Sequence, residues 1–217
     1  MKIALIGATG FVGSAILNEA LSRRHEVTAI LRNPARLTIK SNDLSVAQGD
    51  VTDTSKLAGL LKGNDIVVSA YNAGWSNPNI YNDFLKGSQS IQEAVKKSGI
   101  KRLIVMGGAG SLFIKPGVQL IDTPGLPEFA RAGSQAARDY LNILKKDDQL
   151  DWTFISPAIE MSKASSGTRT GKYRTGSDSP VFDANHKSSI SVEDLAVAAM
   201  DEVEKPQHIR QQFTVGY

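Results

Sequence analysis

The stretch Ile3-Ala4-Leu5-Ile6-Gly7-Ala8-Thr9-Gly10-Phe11-Val12-Gly13 decides how this 217-residue chain is read. Four consecutive apolar residues closed by a glycine are the pattern of a strand buried on both faces of a parallel sheet. From Phe11 the spacing turns helical, with Val12, Ile16 and Ala20 at four-residue steps. Between strand and helix the chain asks for glycine three times. Gly7 permits the tight turn, Gly10 leaves room for close approach to the backbone, and Gly13 lets the helix pack near the strand.

Working outward, apolar runs and helical patterns alternate. Strands are predicted at 26–31, more weakly at 45–48, then at 65–70, 103–106 and 152–156, the last halted by Pro157. Helices are predicted after a cap at Asp53 or Thr54, from Asn82 to Ser98 with Gly99 as the stop, and over 129–146. This alternation implies right-handed crossovers and a doubly wound parallel sheet in one α/β domain spanning 1–217. Residues 158–190, rich in Ser, Thr, Gly, Lys and Arg, read as loops with one short strand near Tyr173. Ser191, with Asp194 three places on, opens a helix to about Glu204, and Phe213-Thr214-Val215 closes the fold. The portion 158–217 is expected to cover the active-site end of the sheet.

Composition narrows the function. With no cysteine, disulfides, thiolate metal sites and thiol redox chemistry are excluded. His25, His186 and His208 are scattered, so no metal site is expected. A net charge of +3 without a dense Lys/Arg stripe argues against nucleic acid. No run approaches the ~18 apolar residues of a membrane span. The expectation is a cytoplasmic monomer or homodimer acting on a small molecule.

The start of a helix offers unpaired N–H groups and the positive end of its dipole, so the glycine turn suits a dinucleotide diphosphate. The cofactor set expected from this turn and the following strand ends is Gly7, Thr9, Gly10, Phe11, Val12, Gly13, Arg32, Asn33, Arg36, Asp50, Val51, Ser69, Ala70, Tyr71, Gly107 and Gly108. An NAD site usually places Asp or Glu at the end of the second strand, whereas this chain has Arg32-Asn33-Pro34-Ala35-Arg36. A guanidinium grips a 2′-phosphate, so NADP(H) is the expected preference, with NAD(H) possible.

The spacing Gly7-x-x-Gly10-x-x-Gly13 resembles the turn of extended and atypical short-chain dehydrogenases/reductases. The segments Ile104–Ala109, Leu150–Ala158, Arg169–Tyr173 and Ile190–Ala196 resemble the NAD(P)H-dependent flavin reductases related to biliverdin-IXβ reductase, and NmrA-like proteins. The resemblance implies a Rossmann fold and an adenine contact at Asp50. Where those reductases carry a serine after the fifth strand this chain has Gly108-Ala109, with a hydroxyl only at Ser111. Ala158 stands where they have a histidine, and Gln135 falls near a lysine of many atypical relatives.

The Tyr-x-x-x-Lys pair of most short-chain dehydrogenases is missing. Lys145 follows Tyr140 by five places, roughly 140° around a helix at about 100° per residue, so Tyr140 is read as packing. Without a group to handle a hydroxyl proton, alcohol oxidation and sugar epimerisation are disfavoured. Hydride transfer to a flavin (FMN or FAD) or a quinone needs mainly binding and orientation. Trp75, Phe113, Met161, Arg169, Lys172 and Arg174 are the expected substrate residues, the basic three near a flavin phosphate, and Ser111 is the one catalytic candidate. The expected function is an NAD(P)H-dependent flavin or quinone reductase. A non-catalytic NADP(H)-sensing regulator and a sugar-type epimerase or dehydratase are the alternatives.

Overall fold

The computed structural model describes residues 1–217. The chain runs β1 (Lys2–Ile6), α1 (Phe11–Ser22), β2 (Glu26–Leu31), β3 (Leu44–Gln48), α2 (Thr54–Leu61), β4 (Ile66–Ser69), α3 (Ile80–Ser98) and β5 (Arg102–Met106). It continues through β6 (Phe113–Lys115), β7 (Val118–Gln119), α4 (Glu128–Leu144), β8 (Asp151–Ser156), β9 (Arg174–Gly176), α5 (Val192–Glu204) and β10 (Gln211–Gly216). One sheet holds eight strands in the order β3-β2-β1-β4-β5-β8-β10-β9. All neighbours are parallel except β9, which lies antiparallel on β10.

Helices cover both faces because the inner strands are apolar on both. Ile3 and Leu5 of β1 join α1 and α5 in one core, while Ala4 and Ile6 join the layer of α2, α3 and α4. The doubly wound architecture expected from the sequence is therefore what the chain adopts. The last third adds two strands and a helix to this sheet, since β10 pairs with β8 and α5 packs on α1. No helix is long and apolar enough to cross a membrane.

The order reverses between β1 and β4: the chain leaves β1 toward β2 and β3, then returns to the opposite side at β4. Above that point the two flanking loops diverge, opening a crevice at the carboxyl ends of the strands. Two local features differ from the sequence expectation. Helix α3 begins at Ile80, a residue pair before Asn82, with Asp83 in its first turn. The hairpin β6–β7 was not anticipated: its strands are too short to show a period, and Pro116-Gly117, with Gly117 at φ +74°, joins them.

The α3–α4 layer is fastened to the sheet by a buried carboxylate. Asp147, just after α4, receives Lys96 Nζ at 2.6 Å, the Gln92 amide, and the backbone N–H groups of Gln149 and Leu150 at 2.8 and 3.0 Å. Burial would raise its pKa, but Lys96, Gln92 and the backbone donors outweigh this and hold it below the ordinary aspartate value. Such a group stabilises the fold fully above the unfolded-state pKa and loses that contribution as pH falls through the folded-state value. Asp147→Ala should cost about 3 kcal/mol at neutral pH, since it strands a lysine and an amide. The gap in melting temperature between this variant and the parent should narrow steadily on acidification; a gap independent of pH would contradict the assignment.

Candidate functional site

The turn after β1 is built by backbone contacts that only glycine permits. Gly7 has φ +87°, and a Cβ there would lie 2.4 Å from the Ala70 carbonyl oxygen at the end of β4. A Cβ on Gly13 would lie 2.0 Å from the Gly7 carbonyl oxygen, so α1 starts directly against the turn. Gly10 differs. It is exposed, and a Cβ there would meet only the Gly7 oxygen, at 3.4 Å. The protein's own packing demands glycine at 7 and 13, whereas at 10 the open side is the crevice.

Helix α1 presents its start to that space unusually bare. Gly10 at its N-cap makes no side-chain cap, and the first turn holds no acidic residue. Each of the other four helices has one or the other: Asp53 caps α2, Asp83 and Glu128 lie in the first turns of α3 and α4, and Ser191 caps α5. The N–H groups of Phe11, Val12 and Gly13 have no acceptor within the protein. Unpaired N–H groups at the positive end of a helix dipole suit an anion.

The crevice has a volume of about 780 Å³ and is bordered by Gly7, Thr9, Gly10, Arg32, Asn33, Arg36, Asp50, Val51, Ala70 and Tyr71. Ten of the sixteen expected cofactor residues thus meet around one space. Of the remaining six, Phe11 and Val12 are half-buried in the first turn of α1, and Gly13 is buried behind them. Ser69 is buried in β4, and Gly107 and Gly108 lie farther along, at the end of β5. A Cβ on Gly107 would come within 2.0 Å of the Phe154 ring, so packing alone accounts for that glycine.

Charge is distributed along the crevice with purpose. Eight of the ten arginines donate to a carbonyl or pair with a carboxylate; Arg32 and Arg36 do neither. Asn33 accepts from the Ala35 N–H and so caps the short 3-10 turn Pro34–Arg36 that carries the second guanidinium. Asp50 is held below its ordinary pKa by the Thr52 N–H and hydroxyl, at 2.9 and 2.8 Å, with Arg32 adding to the effect. Only its Oδ1 is engaged, which leaves Oδ2 free to accept a ligand N–H. Burial pushes the Tyr71 phenol up, and its hydroxyl donates to the Asp83 carbonyl at 3.1 Å, so it faces the crevice as a neutral wall.

Sequence reasoning missed the far wall. Thr52, Asn72, Gly74, Asn77, Asp83 and Lys86 also border the crevice. Asn72-Ala73-Gly74 directly continues the carboxyl-end loop of β4, which is the signal that could have found part of it. Asn77 and Asn79 both donate to the Asp83 carboxylate, at 2.8 and 3.0 Å, and so tie this loop to α3.

The expected substrate set does not assemble. Arg169 is bonded through two nitrogens to Glu19 on α1, at 2.7 and 2.8 Å, and Arg174 donates to the carbonyls of Phe182 and Tyr217. Both guanidiniums are consumed by the fold, Lys172 is simply exposed, and none of the three borders the crevice. Met161 leans on the α1–α5 core, and Phe113 pairs within the β6–β7 hairpin. Only Trp75 adjoins the crevice, next to Gly74. Ser111, the catalytic candidate, is 1% exposed. Its hydroxyl donates to the Gly108 carbonyl, lies 3.1 Å from Ser156 Oγ and receives Gln212 Nε2, so it holds the turn after β5 and faces no substrate. Tyr140 is buried beneath α4, packed edge-on to Phe84, as its spacing from Lys145 implied.

A glycine cradle at the switch point of a parallel sheet, with a bare helix start above it, defines a nicotinamide dinucleotide-binding protein of the atypical short-chain dehydrogenase/reductase type. The chain belongs to the NAD(P)H-binding family, whose model matches residues 7–206. It is 36% identical over 217 residues to the uncharacterised protein YwnB of Bacillus subtilis, covering 99% of this chain and 98% of that one. A Bacteroides thetaiotaomicron structure provisionally named an epimerase superposes with TM-score 0.91 at 46% identity, covering 100% of this chain and 96% of that one. A Streptococcus pneumoniae structure provisionally named an NADH-flavin reductase superposes with TM-score 0.86 at 33% identity, covering 100% and 99%.

Gly13→Ala tests the cradle. The added methyl must displace the turn, at a cost of about 1–3 kcal/mol. Dinucleotide affinity measured by calorimetry should fall at least tenfold, more than at an exposed glycine such as Gly59, where a Cβ meets nothing.

Proposed function

We propose that the protein is an NADPH-dependent reductase that delivers hydride to a flavin or quinone. One observation carries the reading: the bare start of α1 and two unpaired guanidiniums share a crevice whose one phenol, Tyr71, donates to the Asp83 carbonyl and not to a lysine partner. The N–H groups of Phe11, Val12 and Gly13 would hold the diphosphate, Arg32 and Arg36 the 2′-phosphate, and Asp50 the adenine amine. Bound there, the reduced cofactor supplies a hydride. Gly7 and Ala70 fix the floor on which it rests, and Tyr71, neutral and tied to α3, keeps water from that side.

The acceptor follows from what the chain lacks. A hydroxyl substrate needs a side chain to move its proton; Tyr140 is buried, the Ser111 hydroxyl is committed, and the Tyr71 phenol, pushed up by burial, donates to the Asp83 carbonyl. A flavin or quinone takes two electrons with the hydride, and its remaining proton can come from solvent. The Streptococcus pneumoniae neighbour's name agrees with this acceptor class. The epimerase reading suggested by the Bacteroides name requires a proton-handling pair that the buried tyrosine cannot form. A cytoplasmic location, where reduced dinucleotide is regenerated, goes with this reading.

The test mixes purified protein with NADPH and FMN, FAD or a small quinone and follows loss of the reduced nicotinamide absorbance. Turnover with at least one acceptor is expected; tight binding without turnover would favour a sensor. Arg32→Ala combined with Arg36→Ala should weaken NADPH binding about ten- to a hundredfold, as expected for lost charge-assisted bonds of about 1.5–3 kcal/mol. NADH affinity should move less than threefold. A parent protein that prefers NADH, with no change in the double variant, would refute the NADP assignment.

A further inference from the structure

The crevice is polar over β1, β2 and β3, but the surface changes character beyond β4. Trp75, one residue past the crevice-lining Gly74, is 55% exposed. Its ring lies against Gly133 of α4 so closely that a Cβ there would sit 2.8 Å from Trp75 Cζ3. Phe129, four residues earlier and so on the same face of that helix, is 75% exposed. The next residue of α4, Ser134, packs on the turn after β5, where a Cβ on Gly110 would meet Ser134 Cβ at 3.0 Å. Trp75 and Phe129 therefore stand over the carboxyl ends of β4 and β5, on the opposite side of the switch point from Arg32, Arg36 and Asp50.

Exposed apolar surface gathered beside a ligand crevice marks a place where a ligand can be bound. On the reductase reading of this site, on which the inference rests, the acceptor must meet the dinucleotide at this end. We infer that Trp75 and Phe129 form an aromatic platform that selects planar, fused-ring acceptors, the isoalloxazine of a flavin or a bicyclic quinone, by stacking. Gly133 is the seat that holds the indole upright, and the two rings offer an acceptor π surface, so ring shape is the property they read. Stacking on such rings tolerates chemical variety because every fused aromatic acceptor presents a π face.

Both side chains are exposed, so their replacement leaves the core intact. Trp152, the other tryptophan, is buried at 2% exposure and supplies a constant background. With NADP+ bound to prevent turnover, titrating FMN or menadione should quench tryptophan emission saturably, and Trp75→Phe should abolish most of that signal. In NADPH turnover, Trp75→Ala and Phe129→Ala should each raise KM for FMN about tenfold, with kcat within twofold and the NADPH Kd unchanged. Trp75→Phe should restore the parent KM. An FMN KM within twofold of the parent in both alanine variants, or equal quenching in parent and Trp75→Phe, overturns the platform. If no acceptor is turned over at all, the reductase reading fails by itself. Saturable quenching of Trp75 would then still support the platform, and its absence would overturn it.

Discussion

Everything in this molecule that concerns the ligand depends on how closely three backbone segments approach at one point. Gly7 presses on the Ala70 carbonyl, and Gly13 presses on the Gly7 carbonyl, so the end of β1, the end of β4 and the start of α1 are in direct contact. No side chain mediates the junction. Because α1 begins there, the N–H groups of its first turn emerge at the one place where the sheet order reverses. The position of the helix end and the position of the crevice are one geometric fact.

From that junction the two halves of the site take different physical roles. On the β2–β3 side the groups are charged and exposed: Arg32 and Arg36 without partners, Asp50 with one oxygen engaged. On the β5 side the backbone is held from within by the buried hydroxyls of Ser111 and Ser156 with the Gln212 amide, and the surface is aromatic. One half presents charge and the other exposed ring surface. The fold keeps its remaining arginines busy with carboxylates and carbonyls, which leaves Arg32 and Arg36 as the guanidiniums without a partner.

The sheet and the dinucleotide half were legible in the sequence because their signals are local. A buried apolar run, a glycine triplet and the residues at the next strand end lie within about thirty positions, and even the bare cap of α1 can be read from Gly10 and the lack of an early acid. The substrate half was not legible because its determinants are distant. Arg169 looks like a ligand-binding cation until Glu19, 150 residues away, is found to hold it, and Ser111 looks like a catalytic hydroxyl until Gln212 and Ser156 are seen around it. In the sequence Phe129 reads only as the start of a helix; the fold sets it one turn before Gly133, against which Trp75 lies. The β6–β7 hairpin escaped because strands of three and two residues carry no periodicity to read.

Arg32, Arg36 and Asp50 are solvent-exposed, whereas Gly7 and Gly13 are locked into the frame. Substitutions at exposed, unpartnered positions seldom disturb folding, while those in tight backbone contacts do. The guanidiniums at the rim can therefore be exchanged without disturbing the frame, whereas the glycine junction behind them cannot be altered without moving the sheet and the helix together.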